Sequence, residues 1–311
     1  MKCGTDDCRN GSESREADCR TDMPEQSFRN CGSCRPERSF RDWGSCRPEH
    51  SFAVCAYGDS PYLERCLRSL KAQTAASELL ICTSTPSPFI SGLAEKYGIP
   101  LFVRDGKSGI GADWNFAFDT AKGRFVTLAH QDDMYEKHYT ARLLAAAERW
   151  PDMTLFTTAS ATVKNGAVRP AHAPEIVKKL LRIPLRFRSL ADRTFVKQLV
   201  LRLGNPVICP SCAYRKDVCG ASPFSETHKF ILDWEFLWEL AERGGRWICD
   251  ERPGIFYRIH GDAATASLIN SNVREVEERE MFRRMWPEAA VKLILHFYRR
   301  SYDAYTEKST G

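Results

Sequence analysis

Apolar and polar positions follow two different patterns along most of this chain. From residue 52 onward, short runs of consecutive apolar residues are separated by segments whose apolar residues recur at helical spacing. The runs, which predict buried strands, lie at 52–57, 79–82, 99–103 and from residue 125. The intervening segments predict connecting helices. This β-α-β-α-β-α-β order is typical of a parallel sheet with crossover helices and therefore of the α/β class.

The second half of the chain continues the mixture of strands and helices. A basic stretch over 174–203 is predicted to be helical, with a break at Pro184 because proline cannot continue a helix. The remaining predicted elements are a helix over 139–150, a strand over 154–158, a hairpin at Asn165-Gly166, a helix from Ile231, a strand from Gly254 and helices over 271–311.

Residues 1–50 show neither pattern. They are rich in Ser, Arg, Asp, Glu and Gly, and a segment that begins at Ser27 recurs at Ser39. Such a polar segment buries too little apolar surface to fold, so we predict a disordered tail. Cys31 and Cys34 have the spacing of half a zinc site, and metal binding is the alternative.

Composition and charge narrow the class of protein. Of 311 residues, 43% are hydrophobic and 27% charged, which permits a sizeable core. The net charge of +5 is mild and no nucleic-acid-binding signature accompanies it, so no nucleic-acid partner is expected. The N-terminus is polar, no apolar run has the length of a membrane span, and the thirteen cysteines are an odd number. We therefore expect a reduced, cytoplasmic protein.

Two adjacent carboxylates, Asp132 and Asp133, end the apolar run that begins at Phe125. Ligands bind at the carboxyl ends of strands in open α/β sheets. Two hard oxygen ligands there suit Mg²⁺ or Mn²⁺ carrying a phosphate. The alternative is that the two acids only start the next helix, since acidic residues are favoured in a first turn.

A further carboxylate, Asp233, lies inside the apolar stretch 231–241. In a partly desolvated cleft such a group can serve as general base, whereas the alternative is an ordinary first-turn acid. His260 follows the strand from Gly254, and imidazole is a fair Mn²⁺ ligand.

Two weaker signals have simpler alternatives. The loop over 104–111 contains Gly, Lys and Ser and opens a helix, as phosphate-binding loops do, but it matches no defined motif and a plain loop is the alternative. Cys209 and Cys212 have zinc-ligand spacing, yet no second pair accompanies them, so we interpret them as core residues.

Taken together and in order, five motifs over roughly residues 51–270 resemble an inverting family 2 glycosyltransferase with the GT-A fold. The resemblance implies a Rossmann-like, mostly parallel sheet with flanking helices, followed by C-terminal helices. The motifs are Phe52 to Tyr57 with Ser60-Pro61-Tyr62-Leu63, Asp113-Trp114-Asn115, Gln131-Asp132-Asp133, Leu232-Asp233-Trp234-Glu235 and Tyr257-Arg258-Ile259-His260.

The resemblance also implies roles for residues. Asp233 would be the catalytic base, and Asp133 and His260 would bind Mn²⁺ or Mg²⁺. Trp234 and Glu235 would contact the acceptor. The residues expected at the nucleotide-sugar donor are Ala56, Tyr57, Asp59, Asp113, Asn115, Gln131, Asp132 and Arg258.

The same resemblance divides the chain into functional regions. Residues 51–165 would bind the nucleotide-sugar, expected to be a UDP-sugar, and residues 166–270 would bind the acceptor and supply the base. The acceptor would be a hydroxyl of a glycan, as in polysaccharide biosynthesis, or of a lipid-linked molecule.

Two departures from the family's pattern concern the donor site. Cys82-Thr83-Ser84 stands where the family often has an acid that contacts uracil, and Gln131 replaces an Asp of the metal motif.

Other interpretations stay open. The basic residues over 178–202 predict either peripheral contact with an anionic membrane at its inner face or a solvated surface. A sugar-phosphate nucleotidyltransferase would share the sheet, but it would carry a basic, Gly-rich loop where this chain has Gly58-Asp59-Ser60-Pro61. A non-catalytic nucleotide-sugar-binding or scaffold protein is the third possibility.

Overall fold

The computed structural model describes residues 47–164, 167–168, 173–258 and 272–302, so most of the predicted tail lies outside it. The strands are β1 (His50–Ala56), β2 (Glu78–Thr83), β3 (Leu101–Val103), β4 (Phe125–His130), β5 (Met134–Tyr135), β6 (Met153–Lys164), β7 (Ala167–Val168), β8 (Ala213–Arg215) and β9 (Arg246–Arg258). The helices are α1 (Leu63–Lys71), α2 (Pro88–Tyr97), α3 (Ile110–Thr120), α4 (Tyr139–Arg149), α5 (Ala173–Leu181), α6 (Ile183–Arg186), α7 (Thr194–Leu201), α8 (Lys216–Cys219), α9 (Leu232–Glu242), α10 (Val273–Arg283) and α11 (Glu288–Tyr302).

The strands of the described residues form one sheet in the order β3-β2-β1-β4-β8-β6-β9-β5, with β7 paired to β6. The first four are parallel, as predicted. The short β8 runs antiparallel between β4 and β6, and β6 then pairs in parallel with β9 over most of its length. The predicted α/β class with a mostly parallel sheet is confirmed.

Both faces of the sheet are covered by helices, which explains why the central strands are continuous apolar runs. Along β4, Val126 and Leu128 face a core shared with α3, α7, α9, α10 and α11. Phe125 and Ala129 face the opposite core, which α1, α2 and α4 complete. Since side chains alternate along a strand, one apolar run serves two cores.

The second half differs from the prediction in detail. The basic helical stretch is interrupted before Ile183, and Pro184 lies in the first turn of α6, where a missing N–H costs little. β6 and β7 pair as a hairpin whose turn, Asn165-Gly166, lies outside the described residues. Because both predicted halves contribute strands to this one sheet, their separate roles stay predictions.

Cys209 and Cys212 flank a 3-10 turn, Cys209–Ser211, and both thiols are buried. Burial raises the pKa of Cys212 to about 12, so this thiol stays protonated at neutral pH. This supports their interpretation as core residues. In the part of the chain that is described, no helix combines the length and apolar character needed to cross a bilayer.

Candidate active site

The carboxyl ends of β1 and β4 lie side by side because the two strands pair in parallel, with Cys55 opposite His130. One residue further on, the side chain of Gln131 continues this pairing. The backbone N–H of Tyr57 donates to Gln131 Oε1 at 3.0 Å, and Gln131 Nε2 donates to the carbonyl of Tyr57 at 2.9 Å. This amide clasp joins the predicted donor residues of β1 to those that follow β4.

Asp132 and Asp133 occupy a turn that leads into β5, and the next helix, α4, begins only at Tyr139. Their alternative interpretation as helix-start acids is therefore wrong. Asp133 is 1% exposed. Its Oδ1 accepts a hydrogen bond from the backbone N–H of Arg258 at 3.0 Å, whereas its buried Oδ2 has no partner among the described residues. An unpaired buried carboxylate oxygen is costly, which favours a role that supplies a partner.

A third potential ligand, His130, stands beside these acids. The ligand atoms of His130, Asp132 and Asp133 all lie within 4.8 Å of one another. Nε2 of His130 is also buried and has no partner in the described part of the chain. Burial lowers the pKa of His130 and raises that of Asp133 well above its usual range, with the charge of Asp132 adding to the latter effect. A neutral imidazole and two carboxylates fit a divalent cation, which would supply the missing partners.

Arg258, a predicted donor residue, ends β9 directly beside this group. Besides its backbone contact with Asp133, its Nε donates to the carbonyl of Asp132 at 3.2 Å, and its guanidinium lies over the ring of Tyr62 at 4.6 Å. Its buried Nη2 has no partner among the described residues. A fixed guanidinium with an unused donor suits an anionic ligand such as a diphosphate. His260, the predicted second metal ligand, lies outside the described residues.

Asp113 and Asn115, also predicted at the donor, both hold loops in place. Asp113 accepts hydrogen bonds from Arg104 Nε at 2.8 Å and from the Ser84 hydroxyl at 2.9 Å. The buried Asn115 exchanges two hydrogen bonds with the backbone of Phe224, at 2.8 and 2.9 Å. The loop over 104–111 is thus an internally bonded loop tied to Asp113, as its simpler interpretation has it. Donor contact by these two residues stays a prediction.

The remaining donor residues of this edge differ in exposure. Ala56 is buried at the end of β1, while Tyr57 and Asp59 are exposed beyond it. Asp59 accepts a hydrogen bond from the Ser87 hydroxyl at 2.5 Å. The structure therefore brings Ala56, Tyr57 and Asp59 to the same edge of the sheet as Gln131 and the acidic group.

Asp233 lies in the first turn of α9, and its flanking residues Leu232 and Trp234 are buried. Oδ1 accepts the backbone N–H of Trp234 at 2.8 Å, and Oδ2 accepts Asn205 Nδ2 at 2.9 Å. Burial raises the pKa of Asp233 to about 6, and these hydrogen bonds limit the rise because they favour the charged form. A carboxylate with such a pKa can take a proton near neutral pH.

The two carboxylate sites are connected through the turn at Cys209–Ser211. Burial raises the pKa of the Cys209 thiol well above its usual range, and the negative charge of Asp233 adds to this rise. Cys55, near the carboxyl end of β1, contributes to the same shift. Next along the turn, the carbonyl of Pro210 accepts the hydroxyl of Tyr135 at 2.5 Å. Tyr135, just beyond β4, therefore contacts the same turn whose Cys209 thiol responds to the charge of Asp233.

Trp234 and Glu235, predicted to contact the acceptor, have partners inside the fold. Trp234 is buried, donates through Nε1 to the carbonyl of Leu201 at 3.1 Å and packs against Phe282. Glu235 is bonded to His228 Nδ1 and to Arg284 Nη2, each at 2.6 Å. Both residues thus anchor α9, and their acceptor contact stays a prediction.

The sequence interpretation missed two residues of these sites. His130 is the first of them, and its position directly before Gln131-Asp132-Asp133 is a signal that the sequence offers. Asn205 follows α7, twenty-eight positions before Asp233, and nothing in the local pattern points to it.

The order of the sheet and the acidic group that ends β4 define the GT-A class of glycosyltransferase folds. The family model described as glycosyl transferase family 2 matches residues 51–220, which is more than half of the chain. The protein therefore belongs to that family and is a glycosyltransferase. The resemblance and the enzyme class drawn from the sequence are confirmed.

Solved structures of low identity share the fold. S. aureus TarS 1-349 in complex with UDP-GlcNAc aligns with a TM-score of 0.54 and 17% identity over 84% of this chain and 74% of that chain. The mannosyltransferase PcManGT from Pyrobaculum calidifontis, in complex with GDP-Man and Mn²⁺, aligns with a TM-score of 0.56 and 17% identity over 81% and 69% of the two chains. Against a longer TarS structure, the match spans 44% of that chain. Comparison with curated proteins finds no match.

Proposed function

We propose that this glycosyltransferase moves a sugar from a nucleotide-sugar to a hydroxyl group of a glycan or lipid-linked acceptor, with inversion at the anomeric carbon. The observation that carries the proposal is the presence of two unlike carboxylate sites, one directly after β4 and one at the start of α9. One contains a buried oxygen of Asp133 that has no partner among the described residues, and the other contains the titratable Asp233. The first suits a cation with a diphosphate, and the second suits a base.

On the donor side, Asp133, Asp132 and His130 would hold the cation, together with His260 as predicted from the sequence. A bound Mn²⁺ or Mg²⁺ supplies charge neutralisation of the diphosphate leaving group. Arg258 adds a fixed positive charge beside Asp132 and Asp133. Support for a UDP-sugar comes from the TarS complex with UDP-GlcNAc, and PcManGT with GDP-Man makes a GDP-sugar the alternative.

On the acceptor side, Asp233 is ionised at neutral pH because its pKa is about 6. It would take the proton of the acceptor hydroxyl while that oxygen attacks the anomeric carbon. The bond from that carbon to the diphosphate breaks on the opposite face, which inverts the configuration, and the proton passes later from Asp233 to solvent. Asn205 and the backbone of Trp234 hold the carboxylate in one orientation throughout.

Asp233→Asn tests this role because it preserves the shape and removes the basic oxygen. We expect transfer to fall by about 10²- to 10⁴-fold, the usual range for a general base, while the donor still raises the melting temperature. Glu239→Gln, an exposed change on the same helix, is the matched control and should leave transfer unchanged. Full activity of Asp233→Asn would exclude it as the base. Donor binding by the wild type without transfer or hydrolysis would favour the non-catalytic alternative.

We further propose that the basic region 178–202 contacts a membrane at its cytoplasmic face. Its helices α5, α6 and α7 expose an unusual amount of apolar surface. Six large apolar side chains in and beside it are 47–67% exposed, namely Ile176, Val177, Leu180, Phe187, Phe195 and Leu199. Lys179, Arg186 and Arg193 are exposed among them. Exposed apolar surface interspersed with cations is typical of segments that bind anionic lipid.

The position of this surface fits a lipid-linked acceptor. Asn205, which holds Asp233, follows α7 directly. The neighbouring α11 adds exposed Leu293 and Phe297, and the segment before it is tied to the end of α7 by Trp286 Nε1, which donates to the carbonyl of Arg202 at 2.8 Å. An acceptor held in a bilayer at this surface would therefore lie on the side of the base.

Co-sedimentation with vesicles of phosphatidylcholine and phosphatidylglycerol tests the membrane contact. We expect binding at low salt that weakens as salt screens the charges. Phe195→Ser combined with Leu180→Ser should abolish it, while Phe89→Ser, an exposed change on α2, should not. Absence of vesicle binding at low salt would reject the membrane contact and leave the transferase proposal intact.

A further inference from the structure

Two buried polar atoms at the end of β4 need a partner that the described chain does not supply. They are Nε2 of His130 and Oδ2 of Asp133. Both residues, with Asp132, belong to the group whose ligand atoms lie within 4.8 Å of one another. Two unpaired buried atoms of complementary ligand type in one place indicate a common missing partner.

The side chain of Gln131 is not available as the partner of these two atoms. Its amide oxygen and nitrogen are both used in the clasp with the backbone of Tyr57. The side chain that replaces an acid in this motif therefore serves the strand pairing. The ligand set that remains beside it consists of the His130 imidazole and two carboxylates.

We propose that His130 is a direct nitrogen ligand of the divalent cation, so that the site prefers Mn²⁺ over Mg²⁺. This inference rests on the metal-assisted reaction proposed above and names the residue that selects the cation. Mg²⁺ prefers an all-oxygen set, whereas Mn²⁺ accepts imidazole more readily. An imidazole in place of an oxygen ligand therefore shifts the preference toward Mn²⁺.

The surroundings of His130 hold its ring in place before any ligand arrives. Its backbone is the last residue of β4 and pairs with Cys55 of β1. Its ring packs against Trp114 at a centroid distance of 5.2 Å, and Trp114 packs in turn against Phe224 at 5.4 Å. Trp114 thereby acts as a positioning residue for the imidazole, which gives the central residue of the Asp113-Trp114-Asn115 motif a function.

Two other described histidines, His50 and His138, have partners of their own. His50 is bonded to Ser77 and Thr127, and His138 to Thr74. His130 is thus the described imidazole with an unpaired buried nitrogen beside the acidic group.

Pulsed electron paramagnetic resonance of bound Mn²⁺ tests the inference because it detects a directly coordinated nitrogen. The full chain carrying His260→Asn is loaded with Mn²⁺ alone and with Mn²⁺ plus UDP or GDP, so that the nitrogen of His260 is absent. We expect nitrogen coupling in this protein and its loss when His130→Asp is added. Competition with Mg²⁺ should show the Mn²⁺ preference falling by about tenfold in His130→Asp. His138→Asn is the matched control and should change neither result.

Each outcome decides the inference. Mn²⁺ bound without nitrogen coupling, an unchanged preference in His130→Asp, or no Mn²⁺ binding by the wild type would overturn it. If His130→Asp does not melt cooperatively, His130→Gln repeats the measurement with a neutral side chain. The proposed function is judged separately, since Asp233→Asn should lose transfer and keep the nitrogen coupling. Coupling in a wild type that transfers no sugar would reject the proposed function alone.

Discussion

The carboxylates of Asp133, which is buried after β4, and Asp233, which is half-buried at the start of α9, are hydrogen-bonded in different ways. Asp133 has one oxygen bonded to the backbone of Arg258 and one without a partner in the described structure. Both oxygens of Asp233 are hydrogen-bonded, to Trp234 and Asn205. The first site therefore has room for an external cation as a partner, whereas the carboxylate of the second site is bonded within the chain and can accept a proton.

The pKa values reflect the same difference. Burial raises both, but the neighbouring charge of Asp132 adds to the rise at Asp133. At Asp233 two hydrogen bonds and the positive charge of Lys178 favour the ionised form and keep the pKa near 6. At Asp133 the hydrogen bond and charge of Arg258 offset only part of this rise, which suits a site that binds a metal, whereas the moderately raised pKa of Asp233 suits a base.

The largest expected effect is on the stabilisation of the protein by bound metal, which should depend on Asp133 and not on Asp233. Asp133→Asn keeps an oxygen for the N–H of Arg258 but lowers the charge of the cation site. Mn²⁺ with UDP, at about a hundred times its dissociation constant, should stabilise the wild type by about 2.7 kcal/mol and Asp133→Asn by almost nothing. Thermal melting with and without the cation measures this. The assignment of the metal to the Asp133 site would be wrong if Asp233→Asn loses the metal-dependent rise in melting temperature and Asp133→Asn keeps it.

A smaller effect concerns how much the ionised Asp233 lowers the free energy of unfolding. Its folded pKa of about 6 lies above the usual 3.8, so folding favours the protonated form. The resulting stabilisation is complete below pH 3.8 and is lost as the pH rises through 6. Asp233→Asn should therefore raise the free energy of unfolding by about 1 to 3 kcal/mol at pH 8, with a smaller gain near pH 4. Urea unfolding at the two pH values checks this. An equal gain at both pH values would mean that the pKa of Asp233 is not raised in the folded protein.

The smallest expected effect concerns the pH dependence of transfer, which the pKa of Asp233 should control. Transfer should decline below about pH 6, because protonated Asp233 cannot accept a proton. Asn205→Ala removes a bond that favours the charged form and should move this acidic limb to higher pH by a fraction of a unit. Gln198→Ala, which removes a hydrogen bond on α7 to Glu242, is the control. A limb that does not move in Asn205→Ala would mean that another group controls it.

Local patterns were sufficient for the framework of both sites. The apolar runs at β1, β2 and β4 predicted buried strands because residues covered on both faces leave no polar positions. The same patterns placed Asp132 and Asp133 after a strand and Asp233 at a helix start. They did not show that Trp234, predicted to contact the acceptor, is buried, because helix periodicity alone does not say which face the other helices cover.

By itself, then, the sequence determined the order of strands and helices, the family resemblance and the positions of the acids, since these depend on neighbouring residues. Only the tertiary structure decided which polar atoms find partners. The clasp between Gln131 and Tyr57 joins residues 74 positions apart, and the bond from Arg258 to Asp133 spans 125 positions. Which atoms of His130 and Asp133 are left without a partner among the described residues likewise depends on long-range contacts. The reason is that a hydrogen bond depends on distance in space and not on distance along the chain.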